Sequence, residues 1–240
     1  MSKKQHLSRL AAPRTWPIKR KQSKWTAKQL PGAHNMKTSM PLVVILRDIL
    51  DIAPTSKTIK NLLNAKEILV NNKAVGEVRF ATGLFDVISI PKLKVHYRIV
   101  LSKQGKLNPI KIADNEADTM LLRVEDKKSV SKKKTQINLN NGWNLLVDKD
   151  DYKTNDAIMF NTKTKKVSKK LSLEKGASVY LIGGKHAGRV AKLMELRETG
   201  ILRKHKVATV QIGKDAVDSA LHNIIVVGRA KTEISLNSTK

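Results

Sequence analysis

The sequence contains no cysteine. Disulfides, thiol catalysis and cysteine-ligated zinc are therefore excluded. The histidines do not substitute: His6, His34, His96, His186, His205 and His222 lie far apart, and neither an HExxH pair nor an acidic loop of calcium spacing occurs. Acidic residues are scarce, 20 Asp and Glu against 47 Lys and Arg, for a net charge of +27, and residues 1–40 contain none. Long apolar runs are also missing. The longest, Pro41 to Leu46, falls far short of the roughly 20 residues of a bilayer span. Arg9 interrupts any signal-peptide core, and no lipidation motif or strongly amphipathic basic helix occurs. A soluble cytoplasmic protein without a membrane role is expected.

What is present is enough for packed cores: 240 residues, 40% of them apolar, allow one large domain or two to three small ones. The cationic excess lies far beyond the magnitude of roughly 2 to 8 that serves solubility in a small domain, so it calls for a polyanion. Because the charge is spread over the whole length, nucleic acid is favoured over an anionic membrane.

The stretch Pro41 to Ile90 reads as two helices followed by a small sheet. Ser39 is placed to cap a helix with Pro41 early in it, and Leu42, Ile45, Leu46, Ile49 and Leu50 recur with helical spacing on one face. After Pro54, Thr55 or Ser56 offers a second N-cap, and Ile59, Leu62 and Leu63 form a shorter stripe with Lys57 and Lys60 elsewhere on the helix. Ile68 to Val70, the turn Asn71-Asn72 and Lys73 to Val75 read as a hairpin, and Asp86 to Ile90 as a β-branched strand. This arrangement resembles the small RNA-binding module named after bacterial small-subunit ribosomal protein four.

Residues 1–40 carry ten basic residues: Lys3, Lys4, Arg9, Arg14, Lys19, Arg20, Lys21, Lys24, Lys28 and Lys37. Trp16 and Trp25, with Pro13, Pro17 and Pro31, make this an extended arm with aromatic anchors. Its indoles either stack on a base or pack against the next domain, and its removal up to residue 36 is expected to leave the melting point of the remainder nearly unchanged. His6 to Pro13, Trp16-Pro17-Ile18, Arg20-Lys21, Lys24-Trp25 and Pro31-Gly32-Ala33-His34 resemble the N-terminal signature of the archaeal and eukaryotic type of small-subunit ribosomal protein four. Ala33, Asn72, Val75 and Ala81 stand where that family usually has Pro, Gly, a basic residue and Pro.

From Lys92 to about Leu173, short alternating stretches between turn residues read as β-rich: Tyr97 to Leu101, a strand into Leu107, Pro109 to Lys111, the hairpin around Asn140-Asn141-Gly142, and Ala157 to Phe160. Asp114 is placed to cap a short helix within Ala113 to Met120, and the lysines at 132–134 and 163–170 fall in loops. The segment Glu174 to Val190 then runs strand, Gly183-Gly184, basic loop, Gly188, strand, the layout of a KOW motif, found in SH3-like barrels. Its glycines let the backbone come close to a phosphate or sugar. No GK[ST] helix follows Gly183-Gly184, so a nucleotide-binding loop is excluded. Lys206 to Ile212 alternates as a further strand, and Leu221 to Gly228 with Ile234 to Leu236 resembles the family's closing segment, so the resemblance spans essentially the whole chain.

The expected fold is α+β and multidomain: a basic N-terminal arm (1–40), a small two-helix-plus-sheet RNA-binding module (41–91), a β-rich central domain (92–173) and an SH3-like KOW barrel with a closing C-terminal segment (174–240). No catalytic constellation is found. Asp86, Asp114, Asp118, Asp148, Asp150, Asp151 and Asp156 lack the arginine-leucine-aspartate setting of pseudouridine synthases, which can carry the same module. No enzyme activity, cofactor, metal or small-molecule substrate is expected. The resemblance implies a structural constituent of the cytoplasmic small ribosomal subunit, with small-subunit rRNA and neighbouring ribosomal proteins as partners. The candidate rRNA-binding residues are Lys3, Lys4, Arg9, Arg14, Arg20, Lys21 and Lys24 in the arm, Lys57, Lys60, Lys66, Lys73 and Arg79 in the module, and Lys185, His186 and Arg189 in the KOW loop. The alternative is a free RNA-binding or transcription-associated factor that uses its KOW barrel on a protein partner.

Overall fold

The computed structural model describes residues 5–130, 134–148, 151–199, 205–213 and 215–236. The chain divides into two compact units, one holding the described residues up to Val100 and Lys106–Met120, the other Leu101–Gly105 and Leu121–Leu236.

In the first unit, β1 (His6–Ser8) pairs antiparallel with β2 (Trp25–Ala27), and a 3-10 turn at Arg9–Ala11 follows β1. Trp16 is 1% exposed, and its indole N–H donates to the Ser39 carbonyl at 2.7 Å. Trp25 is 50% exposed. The two tryptophans thus divide the alternatives read from sequence. Trp16 belongs to the core of its unit, which corrects the expectation that residues 1–36 contribute nothing to stability: a buried indole contributes on the order of 3 to 5 kcal/mol.

Ser39 lies in β3 (Ser39–Pro41), paired with β6 (Ala81–Gly83), and does not cap the following helix. Its hydroxyl lies 2.8 Å from both Gln29 Oε1 and the Asn35 carbonyl. The helix runs from α1 (Leu42–Val44) into a π-turn at Ile45–Ile49, closed by the Leu50 N–H on the Ile45 carbonyl at 2.9 Å. Leu42 to Leu46 are all buried, so this helix is enclosed on every side rather than along one stripe, while Ile49 and Leu50 are half-buried.

Thr55 caps α2 (Ser56–Asn64), its hydroxyl accepting from the Thr58 N–H at 3.1 Å, and the helix buries Ile59 and Leu63. It ends in a Schellman arrangement, with the Lys66 N–H on Leu63 O at 2.9 Å and the Glu67 N–H on Leu62 O at 3.1 Å. Lys66 occupies the left-handed position at φ 55° where glycine is usual. A hairpin follows: β4 (Leu69–Val70), Asn71 and Asn72 at φ 51° and 60°, then β5 (Lys73–Ala74). With β7 (Val87–Ile90), β8 (Val95–Leu101) and β9 (Leu107–Ile112) it builds a sheet in the order β5-β4-β7-β8-β9. Asn72 also donates to Asp118 at 2.9 Å, a bond that a glycine at this position cannot make.

Asp86, read from sequence as the first residue of this strand, immediately precedes β7 and is a buried hub. It accepts from the Gly83 N–H at 2.8 Å and from Asn71 Nδ2 at 2.8 Å, and His34 Nε2 stands 2.8 Å away. The His34 ring covers Gly83 so closely that a Cβ there would lie 2.2 Å from Nδ1, which requires glycine. In α3 (Asp114–Ala117) the capping position falls to Ala113; Asp114 is inside the first turn, correcting the expected cap.

In the second unit, β10 (Thr119–Val130), β11 (Lys134–Leu139), β12 (Asn144–Val147), β13 (Ala157–Asn161) and β14 (Lys166–Leu171) form a sheet in the order β12-β11-β10-β13-β14. The hairpin at Asn140–Gly142 is present, with Asn141 at φ 65°. Lys166, Lys169 and Lys170 lie in β14, an edge strand, and Lys134 begins β11, so these lysines are not in loops; Lys132 and Lys133 lie outside the described residues. A second sheet comprises β15 (Ser178–Leu181), β16 (Val190–Thr199), β17 (His205–Ile212), β18 (Asp215–Ala220) and β19 (Ile224–Gly228), in the order β18-β17-β16-β15-β19. Val179, Tyr180, Leu193, Ala208, Val210 and Val226 are buried in it.

Candidate nucleic-acid interface

The arm's cations fall into two groups. Arg9 is buried: its Nε donates to Ser23 Oγ at 2.7 Å, its Nη1 to Lys19 O at 3.1 Å, and Asp48 stands 3.7 Å from its Nη2. Arg20 donates to the carbonyls of Leu10, Ala12 and Pro13 at 3.1, 3.0 and 3.1 Å, using its rigid fork as a clasp for the turn. Arg14, Lys21 and Lys24 are exposed without an ion-pair partner among the described residues, and Lys24 Nζ lies 5.3 Å from the Trp25 ring centroid. Lys3 and Lys4 lie outside the described residues.

Around α2 the cations face outward because Ile59 and Leu63 take the opposite side. Lys57 and Lys60 are neighbours at i, i+3 on the exposed surface, Lys66 projects from the helix end, and Lys73 is exposed at the start of β5. Arg79 is half-exposed, and its carbonyl accepts from Leu30 N–H at 2.9 Å. By contrast Arg47 is held by Asp48 at 2.7 Å, and this hydrogen bond raises its pKa above the usual guanidinium value against the opposing effect of burial.

The loop between β15 and β16 carries the third group. Lys185 and Arg189 are exposed without an ion-pair partner among the described residues, and His186 is half-buried. The loop's ends are fixed by Gly188 N–H on Leu181 O at 2.8 Å and Leu181 N–H on Arg189 O at 3.0 Å. These three groups remain on separate elements; the structure joins Lys185, His186 and Arg189 in one loop and Lys57 and Lys60 on one helix face.

Two buried arginines escaped sequence reading. Arg98, 1% exposed, pairs with Glu116 at 2.6 Å and donates to Glu116 O and Thr119 O at 3.1 Å each; burial lowers its pKa, and Glu116 opposes that. Arg123 donates to His222 O at 2.7 Å and Ile224 O at 3.1 Å. Neither position had a sequence signal, since Arg98 sits in an alternating strand and Arg123 in a run of mixed charge. No group of three or more His, Asp or Glu among the described residues could hold a metal, and no described helix is long and apolar enough to cross a membrane.

Comparison with known proteins gives one result throughout. Residues 93–167 match Ribosomal family S4e, and residues 1–37 match the RS4NT (NUC023) domain. The small ribosomal subunit protein eS4 of Methanocella arvoryzae is 38% identical over 192 residues, 80% of this chain and 81% of that protein. Its counterpart from Methanosphaera stadtmanae is 35% identical over 236 residues, 98% and 97% of the two chains. The crystal structure of the 30S ribosomal protein S4e from Thermoplasma acidophilum shares the fold, with a TM-score of 0.69 at 22% identity over 81% of this chain and 97% of that one. With relatives aligned from end to end, the chain belongs to the S4e family of small ribosomal subunit proteins.

Proposed function

We propose that this chain is a structural, non-enzymatic constituent of the cytoplasmic small ribosomal subunit and that it binds rRNA through phosphate and shape contacts. The observation that carries the binding mode is the set of exposed cations without an ion-pair partner among the described residues: Arg14, Lys21, Lys24, Lys57, Lys60, Lys185 and Arg189, on a chain of net charge +27. Elsewhere cations are neutralised, as in Arg98 with Glu116 and Arg123 with Glu125. The deep, narrow major groove of RNA prevents helix-in-groove readout, so binding rests on backbone, 2′-hydroxyl and unstacked-base contacts.

On this reading the contacts come from an arm (1–40), a small two-helix-plus-sheet module (41–91), a β-rich central domain (92–173) and a KOW barrel (174–240). Lys3, Lys4, Lys66, Lys73, Arg79 and His186 add to the contact set. Arg9 and Arg20 hold the arm in shape through Ser23 and backbone carbonyls.

The test is a salt titration of full-length protein on a small-subunit rRNA transcript. Each phosphate contact adds about 0.7 to 0.9 to the slope of log affinity against log salt, so a slope of several units is expected and one near zero overturns the reading. The rival is a free RNA-binding or transcription-associated factor whose segment 174–240 takes a protein partner. It is favoured by the exposed apolar residues Val190, Met194 and Leu196 on β16. Such a factor stays in the soluble fraction after a high-salt ribosome wash, whereas a structural constituent sediments with the small subunit.

A further inference from the structure

The loop between β15 and β16 is built against a second basic turn. Gly188 sits at φ +80°, and a Cβ there would lie 2.1 Å from the Ser102 carbonyl oxygen and 2.9 Å from that of Leu101. The Cβ position of Gly105 is 3.8 Å from the Ala187 Cβ. The turn is closed by the Gly105 N–H on Ser102 O at 2.8 Å. Its base is fixed by Tyr180, whose hydroxyl donates to Leu101 O at 2.8 Å and accepts from the Leu101 N–H at 3.0 Å. Lys103 lies inside this turn, exposed and, like Lys185 and Arg189, without an ion-pair partner among the described residues.

The close approach of Gly188 to the Ser102 and Leu101 carbonyls puts Lys103, Lys185 and Arg189 on adjoining segments. Cations carried on adjoining segments repel unless an anion lies near them. The same loop holds His186, whose Nδ1 is buried without a hydrogen-bond partner among the described residues. That nitrogen is shielded from solvent, so the anion-facing groups of the two segments are the exposed Lys103, Lys185 and Arg189.

We infer that the turn 102–105 and the loop 184–189 form one composite site for the RNA sugar-phosphate backbone, with Lys103 contacting phosphate beside Lys185 and Arg189. Tyr180 acts as a positioning residue that fixes the turn, and Gly188 provides the close approach. The inference rests on the rRNA-binding reading above and adds to it a specific cation and the surface it shares.

The test uses full-length protein and the small-subunit rRNA transcript. Lys103→Ala is compared with Lys128→Ala, which removes the same charge from the exposed part of β10. Lys103→Ala is expected to weaken binding about 5- to 8-fold near 0.1 M salt and to lower the salt slope by about 0.7 to 0.9, the contribution of one phosphate contact. A loss no greater than that of Lys128→Ala overturns the inference. Because the chain has no cysteine, Lys103→Cys and Lys185→Cys each give a single attachment point for a hydroxyl-radical probe. Overlapping cleavage windows on the transcript are expected, and separate windows overturn the composite site. If the unaltered protein shows no salt-dependent binding, the rRNA reading itself fails, an outcome distinct from either result with the variants.

Discussion

The phenol of Tyr180 and the backbone of Leu101, 79 residues apart, exchange two hydrogen bonds in the interior of the second unit. Burial pushes the phenol pKa up to about 12, and the bond to Leu101 offsets only part of that shift. The unfolded chain releases this proton near pH 10 and the native protein near 12, so the folded state holds more protons in between. The associated stability is complete below about pH 10 and is lost as pH rises through about 12, by about 2 to 3 kcal/mol. Denaturant unfolding at stepped pH should show this component in the unaltered protein. Tyr180→Phe should lack it and be about 1 to 3 kcal/mol less stable at neutral pH, because the buried Leu101 N–H and C=O lose their partner. Identical pH slopes in the two proteins would refute the assignment.

The two arm tryptophans should respond oppositely to truncation. Trp16→Ala opens a cavity and leaves the Ser39 carbonyl without its indole donor, so a loss of about 3 to 5 kcal/mol is expected in chemical denaturation. Trp25→Ala, at a half-exposed position, should stay within about 0.5 kcal/mol. Equal effects would mean that Trp16 is not part of the core.

At the end of α2, stability and binding should move apart. Lys66 holds a left-handed conformation at φ 55° in a Schellman motif. Lys66→Gly relieves that conformation and should raise stability by up to about 1 kcal/mol. The same change removes a cation and should weaken rRNA binding. A variant that binds as tightly as the parent removes Lys66 from the contact set.

Within the arm, Arg20→Ala should cost about 1 to 3 kcal/mol of folding stability, since the carbonyls of Leu10, Ala12 and Pro13 lose a shared donor. Lys21→Ala should leave the melting point unchanged and lower the salt slope of rRNA binding by about 0.7 to 0.9. A slope loss for Arg20→Ala without a stability loss would reverse the division drawn here.

Local signals in the sequence transferred well where chemistry and geometry are coupled over a few residues. Thr55 caps its helix, and Asn71 and Asn72 adopt the positive φ that their short amide side chains tolerate. Signals that depend on distant packing did not transfer. The Ser39 hydroxyl reads as a cap until Gln29 and the Asn35 carbonyl engage it from outside the helix. The lysines of β14 read as a loop because lysine is a poor strand former, yet an edge strand leaves Lys166 exposed and lets Lys169 and Lys170 reach Glu233 and Asp156, while Ile158 and Phe160 of β13 supply the core. Arg9 and Arg20 share their spacing and composition with phosphate-binding arginines, and only the folded arm reveals that they serve its own backbone. Lys103 was invisible for a related reason: nothing local joins a turn after β8 to a loop after β15.

The cationic border of β14 also bears on association between copies. Any second copy approaching that edge in antiparallel register would meet the exposed ammonium of Lys166, while Lys169 and Lys170 are already engaged by Glu233 and Asp156 and offer a new strand no anionic partner. Such a border disfavours strand addition by another copy, the usual hazard of an open sheet edge.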